Sequence, residues 1–103
     1  MKVLATTAWD VTPARVLDFV ANCQRGAEIH RRLGVEVVHL VQSLAGPAPV
    51  FTYAMVFPDG AAYGAFLDAI RTDEEWLALW ADVFSGEQYA TVIAQSLGTD
   101  LFS

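Results

Sequence analysis

Cysteine, lysine and asparagine each occur once in this chain of 103 residues, as Cys23, Lys2 and Asn22. A single cysteine excludes an intrachain disulfide framework and fits a reducing cytoplasm. Positive charge is scarce too: six Lys and Arg face twelve Asp and Glu, for a net charge of −6. Residues 51–103 hold only one base, Arg71, against eight acids, whereas residues 1–50 hold five bases and four acids. No basic patch interleaved with aromatics exists, so nucleic acid is not an expected partner. No apolar run approaches the ~18 residues of a membrane span. The N-terminal segment lacks the apolar core and small-residue cleavage site of a signal peptide. The expectation is a soluble, cytoplasmic protein with no membrane partner. Also missing are a glycine-rich phosphate loop, a Gly-x-Ser-x-Gly elbow, paired cysteines and a His-x-x-x-His step. His30 and His39 fall on different elements, so neither a metal nor a cofactor is expected.

What is abundant is apolar surface. Hydrophobic residues make up 54% of the chain and aromatics 12%. The length suits one domain, residues 1–103. A domain of this size has a high surface-to-volume ratio and cannot bury so much inside one monomer. The excess belongs at a subunit interface or around a cavity.

Punctuation along the chain divides it into six segments. Residues 2–9 are β-prone. Thr12 suits an N-cap and Pro13 the first helical position. From Ala14 to Leu33, Val16, Phe19, Val20, Cys23, Ala27 and His30 recur at helical steps. Gly34 closes that helix. Residues 35–44 and 50–57 read as strands joined through a turn at Gly46–Pro49. A second helical region opens near Ala61. It is capped anew at Thr72-Asp73-Glu74-Glu75, which matches a capping box with Thr72 as N-cap. This predicts two helical pieces split near residues 71–73. Residues 89–97 form the last strand.

The order β-α-β-β-α-β is the split βαβ pattern. It predicts a ferredoxin-like α+β fold with a four-stranded antiparallel sheet and both helical regions on one face. The other face is left bare, and none of the strands offers a fully polar side to water. A second sheet must cover it, and a twofold-related copy is the simplest source. The expectation is a homodimer through the sheet faces, a dimeric α+β barrel.

Several local features resemble the dimeric α/β-barrel superfamily, and the NIPSNAP-like branch most closely. They are the Ala45-Gly46 turn, the strand end Val56-Phe57-Pro58-Asp59, the helix start Ala61-Ala62-Tyr63, and Asp73-Glu74-Glu75-Trp76. Together they cover roughly residues 34–80. The superfamily also includes the antibiotic-biosynthesis monooxygenases and the stress-responsive barrel proteins. The resemblance implies oxygenation, isomerisation or cyclisation of a small metabolite without a cofactor. Haem-degrading members use an Asn, Trp and His constellation. Here the second helical region holds Trp76 and Trp80 but no histidine, and the only asparagine is in the first helix.

The candidate site residues are His39, Tyr53, Trp9 and Ser43. His39 is mid-strand, and an imidazole is the side chain suited to proton transfer near neutrality. Tyr53 lies on the neighbouring strand as a hydroxyl that orients a substrate or as a packing residue. With a Gly46–Pro49 loop, His39 opposes Val56. His39, Ser43 and Thr52 then share one face, and Gln42 and Tyr53 the other. A one-residue slip brings His39, Ser43 and Tyr53 together. Trp9 can stack on a planar ligand. Trp76 and Trp80 read as core, Cys23 as an inert core thiol, and His30 as a helical core position. Gln42 and Gln95 are either exposed or hydrogen-bond inside a lumen.

Three functions fit. One is a small cofactor-independent enzyme acting on an apolar or aromatic metabolite, with His39 as acid/base, Tyr53 or Ser43 orienting the substrate and Trp9 packing on it. The second is a non-catalytic binder of a small apolar ligand. The third is a filled structural dimer that presents its surface to a partner.

Overall fold

Pro13 marks the first change of element in the computed structural model, which describes residues 1–46 and 50–103. Strand β1, Val3–Val11, runs through a single 3₁₀ turn at Pro13–Arg15 into helix α1, Val16–Arg32. Thr12 is the N-cap of that turn, but its hydroxyl makes no cap bond. Its carbonyl instead accepts from Arg15 N at 2.8 Å. At the far end of α1, Gly34 takes a φ of 105°, which only glycine adopts without strain. That turn lets Val35 N donate to His30 O at 3.1 Å, a Schellman-type closure.

Strands β2, Val37–Gln42, and β3, Phe51–Phe57, pair antiparallel. His39 stands opposite Ala54 rather than the expected Val56, and Leu40 opposite Tyr53. The physical reason is where the hairpin closes. Ser43 N donates to Val50 O and Val50 N donates to Ser43 Oγ, both at 2.9 Å. Pairing therefore ends two residues earlier than a Gly46–Pro49 loop requires. Residues 47–49 of that expected turn lie outside the described residues. A shift of two leaves the alternation of faces intact.

Helix α2, Gly60–Ile70, begins at Asp59, whose Oδ1 accepts from Ala62 N at 2.8 Å. The expected break follows, and helix α3 spans Glu74–Val83. Its cap is Asp73 and not Thr72. Asp73 Oδ1 accepts from Trp76 N at 2.9 Å, and its two oxygens also accept from Arg32 Nη2 at 2.9 and 2.8 Å. A carboxylate that meets both the helix N-terminus and a guanidinium is a better cap than a hydroxyl. Thr72 N instead bonds back to Ala69 O and completes the turn after α2.

Strand β4, Ala90–Thr99, completes an antiparallel sheet of order β2-β3-β1-β4. The tail is fastened beside β1: Asp100 N donates to Lys2 O, and Lys2 N donates to Ser103 Oγ. This is the ferredoxin-like α+β fold. Apolar side chains from one sheet face and from the helices form two buried clusters. Val3, Val35, Phe57 and Phe66 make the first, and Val11, Phe19, Phe51 and Tyr89 the second. The opposite sheet face carries Leu4, Thr6, Val37, His39, Val41, Thr52, Ala54 and Ser96, by alternation from the buried positions. No helix among the described residues is long and apolar enough to cross a membrane.

Candidate active site

The two buried clusters leave a space between them, and α1 and α3 roof it. α3 packs on α1 at Gly26. A Cβ added at Gly26 would stand 3.6 Å from Trp76 and 3.8 Å from Leu79, ordinary contact distances that show how near α3 lies to α1 at this point. Beneath α1 and α3 is a cavity of about 630 Å³. Its floor is the helix-facing side of β1, β3 and β4. Trp76, Trp80 and Phe84 form one wall along α3, with ring centroids 5.2 and 4.7 Å apart in succession. Trp80 is 42% exposed and Phe84 48%, which places the mouth at the C-terminal end of α3. Trp76 and Trp80 therefore wall a cavity instead of filling a core. Among the described residues, no Lys, Arg, Asp or Glu lines it.

His30 is the polar residue at the inner end. Its side of α1 is the apolar stripe, so helical periodicity turns it toward the sheet. It is only 6% exposed. Its ring meets Tyr53 and Phe66 edge-on and tilts over Trp76 at 4.7 Å. Nδ1 lies 2.5 Å from Tyr53 Oη. Tyr53 comes from β3, between Leu40 of β2 and Thr7 of β1.

Burial sets the charge state of this pair. Desolvation pushes the His30 pKa down to about 4, so the ring is neutral at neutral pH. Desolvation also raises the Tyr53 hydroxyl well above its ordinary value, so it keeps its proton. Among the described residues the Tyr53 hydroxyl has no acceptor other than Nδ1. The arrangement that satisfies both groups has Tyr53 O–H donating to Nδ1, which places the ring hydrogen on Nε2. Nε2 has no partner among the described residues. It is not among sealed unpaired atoms, so it is reached from the cavity. The pair thus offers the cavity one neutral N–H donor.

Tyr53 and Trp9 both line this cavity, and Trp9 packs edge-on against Phe19 at 5.9 Å. His39 and Ser43 do not. The pleat turns both to the opposite sheet face, where His39 is exposed. The Ser43 hydroxyl closes the hairpin. Tyr53 and Trp9 are therefore brought together, while His39 and Ser43 are kept from them by the thickness of the sheet. His30 is the residue that sequence reasoning passed over. The available signal was a histidine inside an otherwise apolar stripe. Cys23 lines the same cavity, with burial pushing its thiol up to about 12. No cluster of three or more His, Cys, Asp or Glu that could hold a metal occurs among the described residues.

No family model and no curated protein matches this chain. Solved structures do. An uncharacterized NIPSNAP domain protein from Burkholderia xenovorans superposes with a TM-score of 0.74 at 12% identity, over 95% of this chain and 93% of that one. A variant of SnoaB, a cofactor-independent oxygenase from Streptomyces nogalater, gives 0.71 at 17% identity, over 97% and 93%. A Nitrosomonas europaea protein classed with the antibiotic biosynthesis monooxygenases gives 0.66 at 13% identity, over 98% and 91%. In fold, the chain is similar to the NIPSNAP domain proteins and to the antibiotic biosynthesis monooxygenases.

Proposed function

We propose that this chain is a small cofactor-independent enzyme, of the oxygenase, isomerase or cyclase type, acting on an uncharged apolar or aromatic molecule held beneath α1 and α3. The observation that carries this reading is the His30–Tyr53 pair at the inner end of an aromatic cavity without charged residues. A charged ligand would lose its hydration there with no counter-charge. A flat, neutral one gains contact with Trp9, Trp76 and Trp80.

The place expected of His39 passes to His30, which faces the aromatic cavity as a hydrogen-bond donor and not as a base, since its Nδ1 is engaged with Tyr53. Its Nε2–H points a preorganised donor at a ligand oxygen. As the ligand releases a proton to water at the cavity mouth and negative charge gathers on that oxygen, the bond strengthens in a site of low polarity. Tyr53 fixes the tautomer and the ring plane. Electron-rich enolates and phenolates are the states from which oxygenation, isomerisation and ring closure proceed without a cofactor. SnoaB, of similar fold, supports the class of chemistry.

The test is a panel of uncharged aryl ketones and phenols, scored for binding by quenching of tryptophan fluorescence and for conversion by mass spectrometry. Wild-type protein is expected to bind and convert at least one compound, and His30→Gln to bind it without converting it. Binding without conversion across the panel would favour a carrier of apolar ligands. Absence of binding would remove the cavity as the site.

A homodimer is part of the same proposal. Val37 and Val41 on the open sheet face are 36% and 54% exposed. A second copy laid across that face covers these side chains.

A further inference from the structure

The polar side chains around the cavity are not equally free. Asn22 Nδ2 donates to Tyr89 Oη at 2.5 Å, and Asn22 Oδ1 accepts from Arg25 at 3.3 Å. Gln88 donates to the carbonyl of Ala90. Tyr53 is occupied with His30. Of the hydroxyl and amide side chains on the lining, two have no hydrogen-bond partner among the described residues: Thr7 and Gln95.

These two are not scattered. Thr7 pairs with Tyr53 across β1 and β3 and with Gln95 across β1 and β4. Tyr53, Thr7 and Gln95 therefore form one transverse row across the cavity floor, all on the helix-facing side. Adjacent strands are about 4.8 Å apart, so the row runs for ~10 Å from Tyr53 to Gln95 at backbone level. That is the length of a flat three-ring molecule. On the other side of the sheet, the polar groups of neighbouring register satisfy each other, as Thr6 and Ser96 do at 2.6 Å. The contrast is between a closed polar pair outside and open polar groups inside.

We propose that Thr7 and Gln95 are specificity-determining residues, a second polar pole that selects ligands carrying a hydroxyl or second carbonyl remote from the oxygen bound at His30. The inference rests on the functional reading above and narrows its substrate class to flat, uncharged molecules with oxygens at two ends. Thr7 offers a donor and an acceptor at the floor. Gln95, which is exposed, offers both from a longer arm. A ligand with one oxygen leaves the half-buried Thr7 hydroxyl facing it without a partner, which is the situation that gives hydrogen-bonding sites their discrimination.

The experiment uses fluorene, 9-fluorenone and the four ring-hydroxylated isomers of 9-fluorenone as probes, with affinity read from tryptophan quenching. Wild-type protein is expected to bind 9-fluorenone more tightly than fluorene, and at least one hydroxy isomer a further tenfold more tightly. In the Thr7→Val/Gln95→Leu variant the tenfold preference disappears while 9-fluorenone affinity changes less than threefold. Binding of 9-fluorenone by that variant also reports that it is folded. Equal affinities for 9-fluorenone and every hydroxy isomer in wild type would overturn the proposal and leave the cavity reading standing. So would a preference that survives in the variant. Failure of wild type to bind any probe would overturn both.

Discussion

Tyr53 Oη and His30 Nδ1 stand 2.5 Å apart and join the middle of β3 to the last turn of α1. Both rings are buried, so each removes from the other the cost of a polar atom shut away from water.

Tyr53→Phe keeps the ring and deletes that bond. His30 Nδ1 is then left without a partner in a buried position, which costs ~1–3 kcal/mol. Urea unfolding of wild type and variant will show a lower midpoint with the slope unchanged. An unaltered midpoint would mean that the bond contributes nothing.

The stability of the fold will fall with acid through His30. Its folded pKa of about 4 lies below its ordinary 6.5, so the unfolded chain binds more protons between those values. Stability is complete above pH 6.5, declines as pH falls from 6.5 toward 4, and this contribution then levels off. The total is up to about 3 kcal/mol. Carboxylates titrate in the lower part of the same window, so the quantity to measure is the difference between wild type and His30→Phe. That difference should decline between pH 6.5 and 4. A flat difference would contradict the assigned shift.

Asp73 and Thr72 separate two accounts of the start of α3. Asp73→Ala removes the cap bond to Trp76 and both bonds from Arg32. Thr72→Ala removes no side-chain bond among the described residues. Thermal melting will therefore drop clearly in the first variant and stay within error in the second. The reverse order would restore Thr72 as the cap.

Gly26→Ala will raise stability by ~0.5–1 kcal/mol, because alanine is the better helix residue and its Cβ meets neighbours only at ordinary contact distance. Lower stability in chemical unfolding would mean that α3 is held closer to α1 than these distances require.

Sedimentation at micromolar concentration should give a dimer, and Val41→Glu on the open sheet face should give a monomer. A wild-type monomer would leave that face uncovered and remove the dimer from the proposal.

The order of elements was legible because its signals are local. Pro13, Gly34, Asp59 and the break near residue 72 mark chain reversals by backbone geometry that no tertiary contact has to supply. The faces of His39 and Tyr53 were legible for the same reason, since alternation survives a register shift of two. The site was less legible. His30 falls on the apolar stripe of α1, and a stripe shows which way a helix faces but not what lies across from it. Whether Trp76 and Trp80 fill a core or wall a cavity depends on α3 packing against α1 at Gly26, a contact between residues fifty apart in the chain. Nothing in the periodicity of either helix encodes that spacing. The Thr72 capping box failed on a smaller scale. The motif places the cap by local pattern, while Arg32, 41 positions away, reinforces Asp73.

The chain has only two histidines, one on each side of the sheet. A single titration therefore decides whether the functional face is the one holding His30. Imidazole nitrogen and proton resonances of ¹⁵N-labelled protein are recorded while 9-fluorenone is added. Free His30 should show the Nε2–H tautomer, and its Nε2 resonances should move in proportion to the bound fraction, while those of His39 stay in place. Movement of His39 with His30 unchanged would contradict this and return the site to the opposite face of the sheet.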